Sequence, residues 1–220
     1  MRSFFHSIAV IILVIYYHSV TGNQNPTVSI SIAQKQIFTL PDYYKKYTLS
    51  FGNSEAPIQI YKFFSFACPS CLMFYKHHFP IIQSQFIDTN QVYWTFVPYV
   101  MDIDTLYIMA ATSPCTDEEK LKIFELIMEK ASSWTEGDNK EQIIQTLKAC
   151  GISDDIIQTN LSEANYEAVL QESLDFQECV IIDGTPTLFI NGTEIPGIPS
   201  AEKLSKIITD MLNNQQGDFK

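Results

Sequence analysis

Two cysteines stand three residues apart in Phe66-Ala67-Cys68-Pro69-Ser70-Cys71. Such a pair can clamp a metal, staple a surface or exchange electrons as a dithiol, and spacing alone does not separate these chemistries. Zinc usually takes four ligands, so a structural site needs a second close pair or a group of histidines. Cys115, Cys150 and Cys179 are isolated from one another, and beyond residue 22 the histidines are His77 and His78. A copper site built from Cys68, Cys71 and His77 is chemically allowed but has only proximity behind it.

The elements that must position the pair favour a reactive dithiol. A turn-forming cluster at 52–57 precedes Ile58-Gln59-Ile60-Tyr61-Lys62-Phe63-Phe64, whose alternation and β-forming residues predict a strand. Pro69 suits the first turn of a helix, and Leu72, Met73, Tyr75, Phe79 and Ile82 recur at roughly helical spacing, with Pro80 expected to interrupt it. Cys68 thus falls where a strand hands over to a helix. Its sulfur would lie beside unpaired backbone N–H groups and the positive end of the helix dipole, and both favour the thiolate. Cys71 follows one turn deeper on the same face, within the separation a disulfide tolerates. Cys68 is therefore expected as the exposed attacking sulfur and Cys71 as the shielded resolving one, with exchange through a mixed disulfide. Lys62 has two readings: a cation that favours the Cys68 thiolate, or a side chain reaching solvent at the strand edge.

Further along, 92–100 reads as a second strand, rich in aromatic and β-branched residues. Thr116 and Glu119 form a capping-box signature ahead of a helix at 121–130, Gly151 ends another, and Ser162 is placed to cap a third. Thr187–Ile190 and Thr193–Ile195 read as a hairpin around Asn191-Gly192, and 200–214 as a closing amphipathic helix. A strand is also expected at 27–32, and an irregular stretch at 40–47. A parallel strand pair needs a crossover helix, so the order implies a mixed sheet covered by helices. Asn160-Leu161-Ser162 and Asn191-Gly192-Thr193 match the glycosylation pattern, although each sits at a helix boundary or turn with a structural job.

The 220 residues are 46% hydrophobic, enough for a well-buried core. Arg2, an apolar run at 8–17 and small residues to Gly22 read as a secretory signal cleaved near Gly22; that run is short for a bilayer, a retained anchor being the alternative. Arg2 is the sole arginine, and the net charge of −11 would repel phosphate backbones and anionic lipid surfaces. Five cysteines in an exported chain can persist as disulfides, and the odd count leaves at least one thiol unpaired or intermolecular.

The segments GNSEAPIQIYKFFSFACPSC, GTPTLFING and SAEKLSKII together resemble the active-site and closing segments of the DsbA-like, thioredoxin-fold thiol–disulfide oxidoreductases. The resemblance implies an α/β thioredoxin fold with an inserted α-helical domain: signal at 1–22, thioredoxin fold at 23–101 and 179–220, helical insertion at 102–178. It implies that Pro69 and Ser70 complete the active-site motif. It also implies that Pro186 is a cis-proline against the Cys68–Cys71 pair, with Thr185 offering its backbone to an extended substrate. Lys62 stands where family members often carry an acid that serves as a buried proton acceptor. Ser70 replaces the histidine of the strongest oxidants, and a hydroxyl brings no charge, so a milder poise is expected. Some relatives have a second disulfide in the insertion, which makes Cys115–Cys150 the expected pairing. Cys179 could replace either partner and is otherwise a buried free thiol.

The function so implied is extracytoplasmic thiol–disulfide exchange that introduces disulfides into secreted client proteins. The partners would be reduced or misoxidised clients and a membrane redox protein that resets the pair. A monomer is expected, with no cofactor, no metal and no nucleic acid. The alternatives are an isomerase or reductase of the same fold, and a non-enzymatic copper carrier or client-holding protein.

Overall fold

The structure, a computed structural model, describes residues 38–134, 139–195 and 197–217. The expected signal and the strand at 27–32 lie outside the described residues. Five strands, β1 (Leu49–Phe51), β2 (Ile58–Phe64), β3 (Val92–Pro98), β4 (Thr187–Ile190) and β5 (Thr193–Ile195), form one mixed sheet in the order β1-β3-β2-β4-β5. β2 runs parallel to β3 and antiparallel to β4, and β1 lies antiparallel along the outer side of β3.

Two crossovers connect the strands. Between β2 and β3 stand α1 (Pro69–His77), the short α2 (Phe79–Ile82) and a π-helical turn at Gln83–Ile87. Pro80 sits in the first turn of α2, where its missing N–H costs nothing, so the break falls at His78. Between β3 and β4 stand α3 (Ile103–Thr112), α4 (Asp117–Lys130), α5 (Lys140–Ala149), α6 (Asp154–Asn160) and α7 (Glu163–Cys179). The chain closes on α8 (Ala201–Gly217). The sheet with these two helical layers is the thioredoxin fold with an inserted α-helical region. Among the described residues no helix is long and apolar enough to cross a membrane.

Strand parity divides the core. Ile58, Ile60 and Phe64 of β2, with Trp94 and Phe96 of β3, face one side and pack with Cys71 and Phe74 of α1, Ile123 and Phe124 of α4, and Leu204 and Ile208 of α8. Phe63 and Val97 face the other side, where Leu106 and Met109 of α3 and Phe176 of α7 close a second cluster. Each fully buried aromatic or aliphatic side chain here contributes roughly 1.5–3 kcal/mol. Local signals work as expected at two places. Thr116 and Glu119 form both hydrogen bonds of the capping box, and Asn191 (φ 46°) and Gly192 (φ 75°) turn the β4–β5 hairpin in the left-handed region.

The structure departs from sequence expectation at three points and excludes one of the two readings of Lys62. A 3-10 turn at Asp42–Tyr47 occupies most of the 40–47 stretch expected to be irregular, and the strand β1 follows it where no element was expected; Tyr44 buries in that turn, stacking on Phe176 with centroids 3.8 Å apart and donating to Pro98 O at 3.0 Å. Ser162 occupies the N-cap of α7 without a side-chain capping bond. Cys179 is exposed rather than buried, because it is the final residue of α7 and it is Val180, one position on, that turns inward. Lys62 does not reach solvent. β2 is flanked by β3 and β4, so it has no free edge, and parity sets Lys62 on the same face as Ile60 and Phe64, at 0% exposure.

Candidate active site

Cys68 is the N-cap residue of α1. The chain arrives from the central strand β2 and turns into the helix at Pro69, so the first turn's N–H groups open toward Cys68. Its Sγ accepts a hydrogen bond from Cys71 N at 3.3 Å. The Thr185–Pro186 peptide bond is cis, and Thr185 O lies 3.3 Å from Cys68 Sγ, accepting from the thiol. Four expected residues, Cys68, Cys71, Thr185 and Pro186, are therefore gathered from opposite ends of the chain, because β4 pairs directly with β2, Phe63 opposite Thr187. Pro69 and Ser70 sit beside them at the start of α1, both exposed.

The two sulfurs differ sharply in acidity. A hydrogen bond from the Cys71 thiol, the Thr185 side chain and the Cys71 backbone N–H hold Cys68 down to about 5, with the Lys62 charge a smaller contribution and partial burial opposing them. Burial pushes Cys71 far up, and its hydrogen bond to Cys68 adds to the rise. Cys68 is half-buried and Cys71 wholly buried. One sulfur is thus an accessible thiolate near neutral pH, and its neighbour holds a proton.

A polar brace fixes the turn between β2 and α1. Asp102 caps α3 by accepting from Thr105 N at 2.7 Å. It also accepts from the Ser65 hydroxyl, and Ser65 Oγ accepts from Ala67 N at 3.2 Å. Thr105 Oγ1 accepts from Phe66 N at 2.9 Å. Met101 stands at the same corner, its Sδ 3.6 Å from Thr185 Oγ1. Sequence reasoning missed Ser65, Met101, Asp102 and Thr105. The available signal was Asp102 three residues ahead of Thr105, an N-cap pattern directly after the second strand.

Beside the pair, Ala67, Pro69, Leu72, Met73, Tyr75 and Trp134 line a groove of about 740 Å³. Asp102, Glu125 and Glu129 add acidic groups to its lining. Met73, in this groove, and Met101, beside Thr185, are each 57% exposed and add apolar surface to the site.

His77 does not join the cysteines. It is exposed, and six residues of helix, about 9 Å of rise, separate it from Cys71. Among the described residues no group of three or more His, Cys, Asp or Glu side chains is arranged to hold a metal. Cys115 and Cys150 are both thiols, partly buried against the same core cluster, and the charge of Cys150 reaches Cys115.

Comparison with known proteins agrees with this geometry. Residues 45–210 match the model of a family described as thioredoxin. Disulfide bond formation protein D of Bacillus subtilis is 24% identical over 173 residues, spanning 74% of this chain and 77% of that one. Relatives from Rickettsia are longer, and the chain spans 62% of the length of the one from Rickettsia felis, just under two thirds. The crystal structure of Wolbachia pipientis alpha-DsbA1 superposes with a TM-score of 0.69 at 17% identity, covering 84% of this chain and 98% of that one. The BdbD structure from Bacillus subtilis superposes at 0.67 with 23% identity, covering 76% and 94%. With its strand-to-helix cysteine pair, the chain belongs to the thioredoxin family.

Proposed function

We propose that this protein acts as an oxidant of client dithiols, passing the Cys68–Cys71 disulfide to them outside the cytoplasm. The observation that carries the reading is the contrast between the two sulfurs, one held down to about 5 and the other raised by burial. A stabilised Cys68 thiolate stabilises the reduced form, and a dithiol stabilised when reduced is a stronger oxidant. In the forward step a client thiolate attacks Cys68 Sγ, the Cys68–Cys71 bond breaks, and Cys71 leaves and takes up a proton. A second client thiolate then attacks the client sulfur of the mixed disulfide. Two electrons reach the protein, the client forms its S–S bond, and Cys68 departs as the thiolate.

The surroundings support a peptide substrate. Thr185 presents its backbone beside Cys68, suited to pairing with an extended chain, and exposed Met73 and Met101 offer flexible apolar contact. Client proteins in an oxidising compartment, and a membrane redox partner that reoxidises the pair, complete the cycle. In that compartment Cys115 and Cys150 would close a structural disulfide within the helical insertion at 102–178, between thioredoxin-fold parts at 23–101 and 179–220. The test offers the oxidised protein either a reduced two-cysteine peptide or a scrambled protein. Stoichiometric oxidation of the peptide supports the reading. Rearrangement of the scrambled protein without net oxidation would establish the isomerase alternative instead.

A further inference from the structure

Lys62 is a buried ionisable group that the exchange steps leave unused. Among the described residues its Nζ has no hydrogen-bond partner. The rings of Phe64, Phe74 and Phe96 surround it at 5.5, 5.0 and 5.3 Å, an arrangement that tolerates a cation but offers no acceptor. β3 and β4 oppose it with the apolar Phe96 and Leu188. From α1, Phe74 lies one turn beyond Cys71, and the charges that reach the amine are those of Cys71 and Cys68. The carboxylate of Asp102 is engaged by Ser65 and Thr105. Burial pushes the amine below the usual lysine range, and only the sulfurs pull it back. When the sulfurs are joined as a disulfide, neither carries charge and that pull disappears.

Resting on the oxidoreductase reading above, we propose that Lys62 exchanges a proton with the redox pair: its amine is neutral beneath the Cys68–Cys71 disulfide and becomes the ammonium partner of the Cys68 thiolate when the pair is reduced. The balance is complete. Two client thiols supply two electrons and two protons; the S–S bond breaks, one proton ends on Cys71 sulfur and the other on Lys62 Nζ, while Cys68 remains a thiolate. No proton is released to water. A carboxylate in this position would be an anion when empty and would oppose the thiolate, whereas an amine is neutral when empty and attracts the thiolate when loaded. Lysine therefore reverses the sign of the coupling between proton and sulfur.

Equilibration with glutathione at pH 6 to 8 reads this directly. Glutathione thiols stay largely protonated below about 8.5, so reduction of the wild-type protein by two of them neither takes up nor releases a proton. Its equilibrium constant should stay flat across that range. In Lys62→Met the second proton must leave to solvent, and the constant should rise about tenfold per pH unit by linkage. A wild-type constant that also climbs about tenfold per unit overturns the proposal. A second readout needs no variant: in lysine-labelled protein at pH 7, one 13Cε resonance should move from the neutral-amine to the ammonium position when dithiothreitol reduces the pair. If no lysine carbon changes charge, the proposal fails. A pair that exchanges with glutathione at no ratio would break the oxidoreductase reading instead, and the lysine resonance would still decide the proton transfer.

Discussion

Two cysteine pairs in one chain meet different fates. Cys68 and Cys71 bracket the first turn of α1, and their acidities are driven apart: one falls to about 5 while burial pushes the other up. Cys115 and Cys150 sit at a helix start and a helix end in the insertion, and both are raised, burial being the largest cause for each. Neither is held at a helix N-terminus beside a second segment as Cys68 is by Thr185. The lesson is that reactivity here comes from the strand-to-helix junction and the β4 approach, and not from having two thiols close together. On the proposed reading, the first pair opens to clients and the second stays shut as a structural disulfide.

The largest effect that could break this contrast comes from the sulfurs themselves. Cys68→Ser should reduce client oxidation to the uncatalysed rate, while Cys71→Ser should leave Cys68 able to trap clients as mixed disulfides visible on non-reducing gels. Trapping through Cys115 or Cys150 would erase the distinction between the pairs. Next in size, Cys115→Ser with Cys150→Ser should lower stability under oxidising conditions by roughly 3–4 kcal/mol in the loop-entropy view, read from urea unfolding. The potential of the Cys68–Cys71 pair should not move.

The pH profile of alkylation sharpens the comparison further. In the reduced protein, Cys68 should react with iodoacetamide at a rate that is flat from about pH 6 to 8, since its thiolate is already formed above about 5. Cys115 and Cys150 should instead gain about tenfold per pH unit, because thiols raised above their ordinary range supply thiolate in proportion to hydroxide. The smallest effect concerns Lys62. Burial depresses its pKa in the folded chain, so the unfolded chain binds more protons wherever pH lies above the folded value and below about 10.4. Wild-type stability should therefore rise with pH through that window, and Lys62→Met should remove the slope. In the oxidised form at pH 7 the methionine variant should also be more stable, by about 1–3 kcal/mol, the desolvation cost of a buried donor that has no acceptor. Equal slopes in the two urea-unfolding series would contradict a neutral buried amine.

Much of the scaffold was legible because its signals are local. The alternation of β2, the Asn191-Gly192 turn and the Thr116–Glu119 box each act within a few residues, and each element forms as the pattern suggests. β1 was not legible, because three residues carry too little periodicity; it exists through its register with β3, Leu49 opposite Phe96 and Phe51 opposite Trp94. Nor was the Ser65–Asp102–Thr105 brace, which is a meeting of two loops far apart in sequence. Lys62 is the instructive middle case. Its charge left two readings open, a cation beside Cys68 or a side chain in solvent, yet the parity of Ile58, Ile60, Lys62 and Phe64 already set it on the apolar face, and only the two-sided pairing of β2 made that burial complete. The nature of the group at Lys62 and the sulfurs above it, more than the fold, distinguishes this site.

The reduction potential of the Cys68–Cys71 pair tests the oxidant reading most directly. With Cys68 held as a thiolate but Ser70 in place of a histidine, equilibration with glutathione at pH 7 should give a value above that of thioredoxin, about −270 mV, and below that of the strongest oxidants, about −120 mV. A value at or below about −270 mV would contradict it and identify the pair as a reductant.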